Sequence, residues 1–370
     1  MQQFRIVPTI KVIDSCKEFC ETMNVGVKDL ILTNPTYFEG YLDAYVNGAK
    51  VVYFKTYGSG EPTDVMVEAL YKDICQYDFD RVIAIGGGSI IDVAKLIVQE
   101  KVLPLENLFD TKDTKKVKRL VIVPTTCGTG SEVTSVSVIN MTCKGSKIGL
   151  QTDEEFADEA VLIPELLENL PQKFFATSSI DALIHAIESF LSPRASVFSE
   201  MFSKEAIRMI LTGYIAIRDK GESARKEQLK NILIASTYAG IAFGNAGCAA
   251  VHAMSMPFSG AYHVPHGEAN YVIFTGVFRA YNRIKPDGKI DILNQLLSEI
   301  LGCDKAKVYD ELELLLNTIL QKKTLSEYGV KKAEIPDYVE NVETKQGRLT
   351  ANNYVPLSTA EMLKIYESLY

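Results

Sequence analysis

Residues 82–95 read VIAIGGGSIIDVAK, and this stretch decides the fold of the first half of the chain. Its first four residues predict a short strand buried on both faces, because they are all apolar. Three glycines follow, and a helical pattern continues from Ser89 through Lys95. A strand, a glycine turn and a helix in this order present free backbone N–H groups and the positive end of a helix dipole. The stretch therefore predicts a site for a phosphate-bearing ligand, and the alternative is a tight turn without one.

Three other apolar runs share the length and the β-branched character of this strand. The four predicted strands cover residues 30–32, 51–54, 82–85 and 120–123. Between the second and the third, apolar residues recur at helical spacing over 63–75. Strands separated by helices of this length require parallel crossovers, so we expect an α/β domain with a doubly wound, mainly parallel, Rossmann-like sheet.

A second loop strengthens the prediction of a ligand site. Residues 124–132, PTTCGTGSE, follow the fourth predicted strand and are rich in glycine and hydroxyl groups. Loops at the carboxyl ends of parallel strands face the same crevice, so the two loops together predict a dinucleotide site. The alternative is a polar surface loop. The glycine turn matches neither the G-x-G-x-x-G fingerprint nor a P-loop.

After about residue 166 the pattern changes to long helices, and no convincing strand follows. The predicted helices cover residues 178–191, 198–217, 227–242, 290–301, 307–320 and 359–370. We therefore expect a second, all-α domain. The predicted boundary separates a dinucleotide-binding domain over residues 1–165 from a helical domain over residues 166–370.

The composition excludes several classes of protein. The 370 residues include 39 Lys and Arg against 47 Asp and Glu, and a net charge of −8 disfavours nucleic acid and anionic membranes as partners. No apolar run approaches the roughly 18 residues that span a bilayer. Seven cysteines without a repeated spacing favour free thiols and a cytoplasmic location.

All four histidines fall between residues 185 and 266, within the predicted helical domain. Asp181 and His185 stand four residues apart on one helix face, about 6 Å along the axis. His252 and His266 could add ligands from separate segments. One carboxylate and three imidazoles suit Fe²⁺ or Zn²⁺. The alternatives are a helix-surface hydrogen bond between Asp181 and His185, and histidines scattered through core and surface.

Four ordered motifs resemble the iron-containing (group III) alcohol dehydrogenase family, from about residue 20 to the end of the chain. They are GGGSxxDxAK at 86–95, PTTxGTGSE at 124–132, DALxHxxE at 181–188, and His252 followed fourteen residues later by His266-Gly267. The resemblance implies the architecture that this family shares with dehydroquinate synthase. It also implies a metal centre of Asp181, His185, His252 and His266 that holds Fe²⁺, with Zn²⁺ as an alternative. The implied contacts to NAD are Asn34, Gly86, Gly87, Gly88, Ser89, Asp92, Thr125, Thr126, Thr134 and Lys147.

The resemblance further implies a reversible, metal-dependent hydride transfer between NAD and a small alcohol or aldehyde. A closer likeness within the family, at GEPT 60–63, YAGIAFGNAG 238–247 and YHVPHGEANY 262–271, makes 4-hydroxybutyrate the expected substrate, which would give succinate semialdehyde. The alternative is a simple alcohol or diol such as butanol, propanediol or glycerol. The substrate carboxylate needs a cationic anchor, for which Arg279, Lys345 and Arg348 are candidates. Relatives often carry a second histidine where this chain has Met256, so His263 either transfers protons or only packs. A homodimer or larger homo-oligomer is expected.

Overall fold

The computed structural model describes residues 3–370, which form two compact units. One unit comprises Ile6–Leu170, and the other comprises Pro171–Tyr370 with residues 3–5. The sequence predicts a boundary after residue 165, whereas the contacts divide the chain after Leu170.

The first unit contains a six-stranded parallel sheet and a two-stranded antiparallel hairpin. The strands are β1 (Thr9–Val12), β2 (Asp29–Thr33), β3 (Lys50–Tyr53), β4 (Arg81–Gly86), β5 (Arg119–Pro124), β6 (Val136–Met141), β7 (Ser146–Gln151) and β8 (Glu159–Leu162). The sheet order is β1-β8-β5-β4-β2-β3, and β6 pairs with β7. The helices of this unit are α1 (Cys16–Thr22), α2 (Pro35–Phe38), α3 (Asp64–Ile74), α4 (Gly88–Ile97) and α5 (Leu105–Thr111).

The predicted mainly parallel sheet is confirmed, and all four predicted strands form. Strands β2, β4 and β5 are buried on both faces because helices cover the sheet, whereas β3 lies at the sheet edge and only Val52 in it is buried. The sequence did not reveal β1, which lies at the sheet edge, or β8, which pairs with β1 and β5. The predicted helix over 63–75 is α3, and the Thr63 hydroxyl caps it by accepting a hydrogen bond from Met66 N at 3.2 Å.

The chain reverses its direction of travel across the sheet between β2 and β4. From β2 it continues outward to β3, whereas from β4 it proceeds to β5 on the other side. Loops that follow strands on the two sides of such a reversal leave a crevice at the carboxyl edge of the sheet. The paired register of Gly86 with Pro124 also brings the glycine turn and the 124–132 loop side by side.

The second unit is helical throughout the residues that the structure describes. Its helices are α6 (Gln172–Leu191), α7 (Val197–Lys220), α8 (Glu222–Ala246), α9 (Ala250–Tyr262), α10 (His266–Ile284), α11 (Lys289–Leu301), α12 (Val308–Ile319), α13 (Ile335–Lys345), α14 (Gly347–Thr350) and α15 (Thr359–Ser368). The six helices expected here all form, as α6, α7, α8, α11, α12 and α15. The sequence did not reveal α9 and α10, whose patterns are interrupted by Pro257 and by glycines.

Helix α6 lies at the centre of this unit. By length and composition it could cross a membrane, whereas the sequence analysis expected no apolar segment of that length. However, 89% of its most apolar 18-residue segment is buried inside the protein. Helices α8 and α9, bent by 103° at their junction, pass the same test only as a pair. Burial of this extent is what a core helix shows, and α6 supplies the first residues of the site described next.

Candidate metal centre and dinucleotide cavity

The buried face of α6 carries Asp181, His185 and Glu188. All three are at most 5% exposed. The spacing of four and then three residues keeps these side chains near one another along the helix. An ionisable group at this depth needs a charged or hydrogen-bonding partner, because isolated burial of charge is expensive.

Helix α10 brings His266 to this face by a very close approach to α6. A Cβ atom on Gly267 would lie 2.2 Å from the carbonyl oxygen of Thr177 and 3.2 Å from Asp181 Cβ. Only glycine fits between the two backbones. Gly267 therefore allows the close approach of its neighbour His266 to Asp181.

The ligand atoms of three predicted residues lie close together. His252 Nε2 and His266 Nε2 are each 3.8 Å from Asp181 Oδ1. Ligands about 2.1 Å from an ion in tetrahedral geometry are about 3.4 Å apart, so a small contraction would complete this set. His252 Nε2 is buried and has no hydrogen-bond partner among the described residues. A buried imidazole nitrogen without a partner fits a group that binds a metal.

Glu188 determines which nitrogen of His252 is free. Its carboxylate lies 2.6 Å from His252 Nδ1 and also accepts hydrogen bonds from Ala249 N at 2.9 Å and Val251 N at 2.6 Å. A carboxylate at Nδ1 favours a proton there, which leaves the Nε2 lone pair for an ion. Burial alone would lower the pKa of His252, but the charge and hydrogen bond of Glu188 raise it.

His185 completes the predicted set and lies beside His252. Their rings stack with centroids 4.6 Å apart, and His185 also stacks on Phe243 at 4.3 Å. Burial would raise the pKa of Asp181, but the neighbouring imidazoles, His185 first, hold it below its usual value. The structure therefore brings together all four residues of the predicted ligand set.

The centre is buried on one side and open on the other. The His266 side chain is 46% exposed, whereas that of Asp181 is 5% exposed. Asn270 Nδ2 donates to Asp181 Oδ1 at 2.7 Å and lies 3.1 Å from His266 Nε2, and the Ser255 hydroxyl donates to Asn270 Oδ1 at 2.5 Å. Neither Asn270 nor Ser255 was predicted, because neither residue type by itself signals a metal site.

Cys248 is a further residue that the sequence did not single out. Its sulfur, a ring nitrogen of His185 and a ring nitrogen of His252 all lie within 4.8 Å of one another, and all three residues are buried. Burial raises the pKa of the Cys248 thiol well above its ordinary value. The bend between α8 and α9 places this cysteine beside the histidines, and no sequence spacing reveals such a bend.

His263 lies outside this cluster. It ends α9 with the left-handed backbone angle φ 53°, and its side chain is exposed. No hydrogen bond joins it to another described residue of the centre. Its predicted role in proton transfer stays a prediction, beside the alternative that it only packs.

A cavity of about 350 Å³ lies at the carboxyl edge of the parallel sheet in the first unit. Its walls come from the loops after β2, β3 and β4, and they include four predicted cofactor residues: Asn34, Gly87, Gly88 and Ser89. Asn34 Oδ1 accepts from Lys55 N at 3.0 Å, so the backbone of the β3 loop orients this side chain. Lys55 and Tyr37 also line the cavity and were not predicted.

The remaining predicted cofactor residues do not line this cavity. Gly86 ends β4 and accepts from Thr125 N at 3.1 Å, which joins the two loops. The Thr125 hydroxyl is buried without a hydrogen-bond partner among the described residues, and Thr126 lies beside Gly87. Lys147, on β7, forms an ion pair with Glu61 at 2.6 Å.

Asp92 and Thr134 belong to a buried polar network around Lys95. Lys95 Nζ donates to Ser131 Oγ and Val136 O, each at 2.8 Å, and lies 3.4 Å from Thr134 Oγ1. Asp92 accepts from Ser131 Oγ at 2.8 Å and from Val138 N at 3.0 Å. These bonds hold the 124–134 segment against α4, and neither predicted residue lines the cavity.

Comparison with known proteins assigns the family. The model of the iron-containing alcohol dehydrogenases matches residues 5–164, and that of the C-terminal region of the Fe-containing alcohol dehydrogenase family matches residues 175–370. The chain belongs to the iron-containing alcohol dehydrogenase family, and it is an oxidoreductase.

Individual relatives agree with this assignment. The chain is 46% identical to the 4-hydroxybutyrate dehydrogenase of Clostridium kluyveri, over 100% of both chains. It is 33% identical to long-chain-alcohol dehydrogenase 1 of Geobacillus thermodenitrificans, over 79% of this chain and 75% of the relative. Among solved structures, sulfoacetaldehyde reductase from Bifidobacterium kashiwanohense in complex with NAD⁺ shares the fold, with a TM-score of 0.86 and 24% identity over 100% of this chain and 98% of the other.

Proposed function

We propose that this enzyme oxidises 4-hydroxybutyrate reversibly to succinate semialdehyde, with NAD as the hydride acceptor and Fe²⁺ as the bound ion. The observation that carries the proposal is the 46% identity to a 4-hydroxybutyrate dehydrogenase over the whole of both chains. Zn²⁺ is the alternative ion, because the same nitrogen and oxygen donors accept either metal.

The proposed metal ligands are Asp181, His185, His252 and His266. A divalent ion at such a site polarises an alcohol or carbonyl oxygen, while the nicotinamide carries the hydride. The protein orients the ligands: Glu188 fixes the tautomer of His252, and Gly267 sets the distance between α6 and α10. Burial of Asp181 and His252 excludes water from the inner side of the site, which strengthens electrostatic interactions there.

The carboxylate of the substrate requires a cation, and the surroundings of Arg279 and Arg348 favour Arg348 over Arg279. Arg279 is committed to ion pairs with Asp310 at 2.7 Å and Glu313 at 3.3 Å. Arg348 lies in α14, which packs against α9 beside the metal centre. Asn352, four residues beyond it, donates to the carbonyl oxygen of Cys248 at 2.9 Å.

The guanidinium group of Arg348 has no hydrogen bond or ion pair with any described residue, so it has capacity for an incoming anion. Its charge acts on the buried Cys248 thiol, where it opposes the effects of burial and of the Glu188 and Asp181 carboxylates, which raise that pKa. We therefore propose Arg348 as the anchor of the substrate carboxylate.

The cavity beside the glycine turn is the proposed site for NAD. Its glycines permit close approach of a pyrophosphate, and Asn34 offers hydrogen bonds to a ribose. The sulfoacetaldehyde reductase that shares this fold was solved with NAD⁺. Asn34→Asp should increase the preference for NAD over NADP, because a carboxylate repels a 2′-phosphate. An unchanged ratio of kcat/KM values would remove residue 34 from the ribose site.

The test of the reaction is anaerobic reduction of succinate semialdehyde and of butyraldehyde with NADH, in the presence of Fe²⁺. A strong preference for succinate semialdehyde is expected. Equal or better use of butyraldehyde would move the substrate to simple alcohols and diols within the same family.

Arg348→Met tests the anchor with the same two substrates. It should raise KM for succinate semialdehyde about ten- to a hundredfold, because a charge-assisted hydrogen bond contributes about 1.5–3 kcal/mol. KM for butyraldehyde, which has no carboxylate, should be unchanged. Arg279→Met is the matched control, and an equal effect of both variants would contradict the assignment.

We further propose that the enzyme works in the cytoplasm as a homodimer or larger homo-oligomer. All seven cysteines are free thiols, which supports a reducing compartment. Light scattering coupled to size-exclusion chromatography tests the oligomer, and a mass of one 41.0 kDa chain would contradict it.

A further inference from the structure

We propose that Lys55 binds the 2′-phosphate of NADP, so that the enzyme accepts NADP as well as NAD in the cavity beside the glycine turn. The proposal rests on the proposed function, which places a dinucleotide in this cavity. It adds a second cofactor and a residue that determines cofactor specificity, and it does not depend on which alcohol the enzyme oxidises.

Lys55 lies where the adenosine ribose of a bound dinucleotide is expected. In the sheet, β2 lies between β3 and β4, and the glycine turn that would hold the pyrophosphate follows β4. In sites of this kind, the ribose is bound just after the strand beside the glycine turn. Here that strand is β2, and Asn34 follows it directly. Thr33 of β2 pairs with Tyr53 of β3, so Asn34 and Lys55 lie at the same corner, where both line the cavity.

The Asn34 side chain offers hydrogen-bond donors at this corner. Its Oδ1 accepts from Lys55 N at 3.0 Å. A backbone N–H requires an acceptor opposite it, so this contact fixes the orientation of the amide. The Nδ2 group carries two N–H donors and has no hydrogen bond among the described residues. A carboxylate at this position would repel a 2′-phosphate, whereas these donors match phosphate oxygens. They can also donate to a ribose hydroxyl, so NAD is accepted too.

The ammonium group of Lys55 is available for an anion. It has no ion pair or hydrogen bond with any described residue, and Lys55 is exposed. Among the described residues that line the cavity, none is acidic. Two acidic residues of the neighbouring loops, Glu39 and Glu61, do not line it, and Glu61 is paired with Lys147 at 2.6 Å. A lysine without a carboxylate partner can form charge-assisted hydrogen bonds to a phosphate.

The experiment is titration of NADH and of NADPH into the full chain, followed by the fluorescence of the reduced nicotinamide. The chain contains no tryptophan, so no tryptophan emission overlaps the signal. We expect the wild-type Kd for NADPH to lie within about tenfold of the Kd for NADH, and a larger ratio would overturn the proposal.

Three variants test the role of Lys55. Lys55→Met should raise the ratio of the NADPH Kd to the NADH Kd about ten- to a hundredfold, because a hydrogen bond to a charged group is lost. Lys55→Arg keeps the charge and should keep the wild-type ratio. Lys17→Met is the matched control, because this exposed lysine lies in α1, which follows β1 at the opposite edge of the sheet. An unchanged ratio in Lys55→Met, or an equal loss of affinity for both cofactors, would overturn the proposal.

A second measurement uses the wild type alone. The fragment 2′,5′-ADP carries the 2′-phosphate without the nicotinamide, and it should displace bound NADH more strongly than 5′-AMP does. Equal displacement by the two fragments would overturn the proposal.

Failure of this proposal can be distinguished from failure of the proposed function. The titrations use neither alcohol nor aldehyde, so a preference for butyraldehyde over succinate semialdehyde would leave them unaffected. Absence of NADH binding would refute the proposed cofactor and this proposal together. Binding of NADH without binding of NADPH would refute this proposal alone.

Discussion

Replacement of Glu188 by glutamine tests whether this carboxylate prepares the metal centre. Glu188 accepts three hydrogen bonds in a buried environment, from Ala249 N, Val251 N and His252 Nδ1. Glutamine keeps one acceptor oxygen and replaces the other with a donor NH₂ group. One orientation of the amide therefore leaves the N–H of Val251 facing another donor. The opposite orientation donates to His252 Nδ1, which moves the ring proton to Nε2 and blocks the ion.

These contacts set the expected loss of stability and of metal affinity in Glu188→Gln. An unsatisfied buried donor costs about 1–3 kcal/mol, so Glu188→Gln should lower the free energy of unfolding of the metal-free protein by about that amount. Loss of a carboxylate that orients a ligating histidine typically weakens metal binding ten- to a hundredfold, which is about 1.4–2.7 kcal/mol.

The assay is equilibrium dialysis against a competing chelator, with bound iron or zinc measured by mass spectrometry and unfolding followed in guanidinium chloride. Glu165→Gln is the matched control, because Glu165 accepts a hydrogen bond from Cys16 N at 2.6 Å in the other unit. The control should lose stability but keep its metal affinity. A Glu188→Gln protein whose metal affinity stays within twofold of the wild type would refute the role assigned to Glu188.

Three further predictions concern the backbone and the buried charges. Gly267→Ala should abolish stoichiometric metal binding and lower Tm by several degrees, because its Cβ would meet the Thr177 carbonyl; Gly260→Ala, with no atom within 4 Å of its Cβ, should do neither. Lys95→Met should lower the free energy of unfolding in urea by about 1–3 kcal/mol, since it removes the donor to Ser131 Oγ and to the Val136 carbonyl oxygen in a buried network; an unaltered midpoint would contradict this. Burial raises the pKa of Glu155 to about 8, so the folded state binds more protons than the unfolded state between about pH 4.5 and 8, and stability falls as pH rises through this window. Glu155→Gln should remove this dependence, so from pH 5 to pH 8 its free energy of unfolding should rise by on the order of 2–4 kcal/mol relative to that of the wild type. Unfolding measured at both pH values tests this, and an equal pH dependence of the two proteins would contradict it.

The sequence predicted the parts of the fold that depend on local composition. Strands β4 and β5 are uniformly apolar because both of their faces are covered, and such runs are visible without knowledge of their partners. The edge strand β1 is only partly buried, and the hairpin of β6 and β7 alternates between buried and exposed residues. Strand β1 pairs with the distant β8, so no local pattern revealed it, whereas β6 and β7 pair with each other across a short turn and were missed because the predicted strands were all uniformly apolar runs.

The residues of the candidate site likewise fall into those that local spacing predicts and those that depend on helix packing. The pair of Asp181 and His185 follows from helical spacing, whereas the approach of His252 and His266 depends on how α9 and α10 pack against α6. The confinement of all four histidines to residues 185–266 suggested those two residues as ligands, and the resemblance to a family assigned them, before the structure brought them together. Cys248 and Asn270 reach the centre only through the bend after α8 and the close contact at Gly267, and neither feature can be deduced from spacing.

The half-exposed position of His266 has a consequence for how the protein gains and loses its ion. This histidine is the first residue of α10, and solvent reaches it while Asp181 and His252 stay covered. With His266 as a ligand, exchange of the ion is expected to require movement of one side chain at a helix end, a local event that is much faster than opening of the whole unit. A chelator should strip the folded enzyme at a rate independent of denaturant at low concentration, and added metal should restore it without a refolding step.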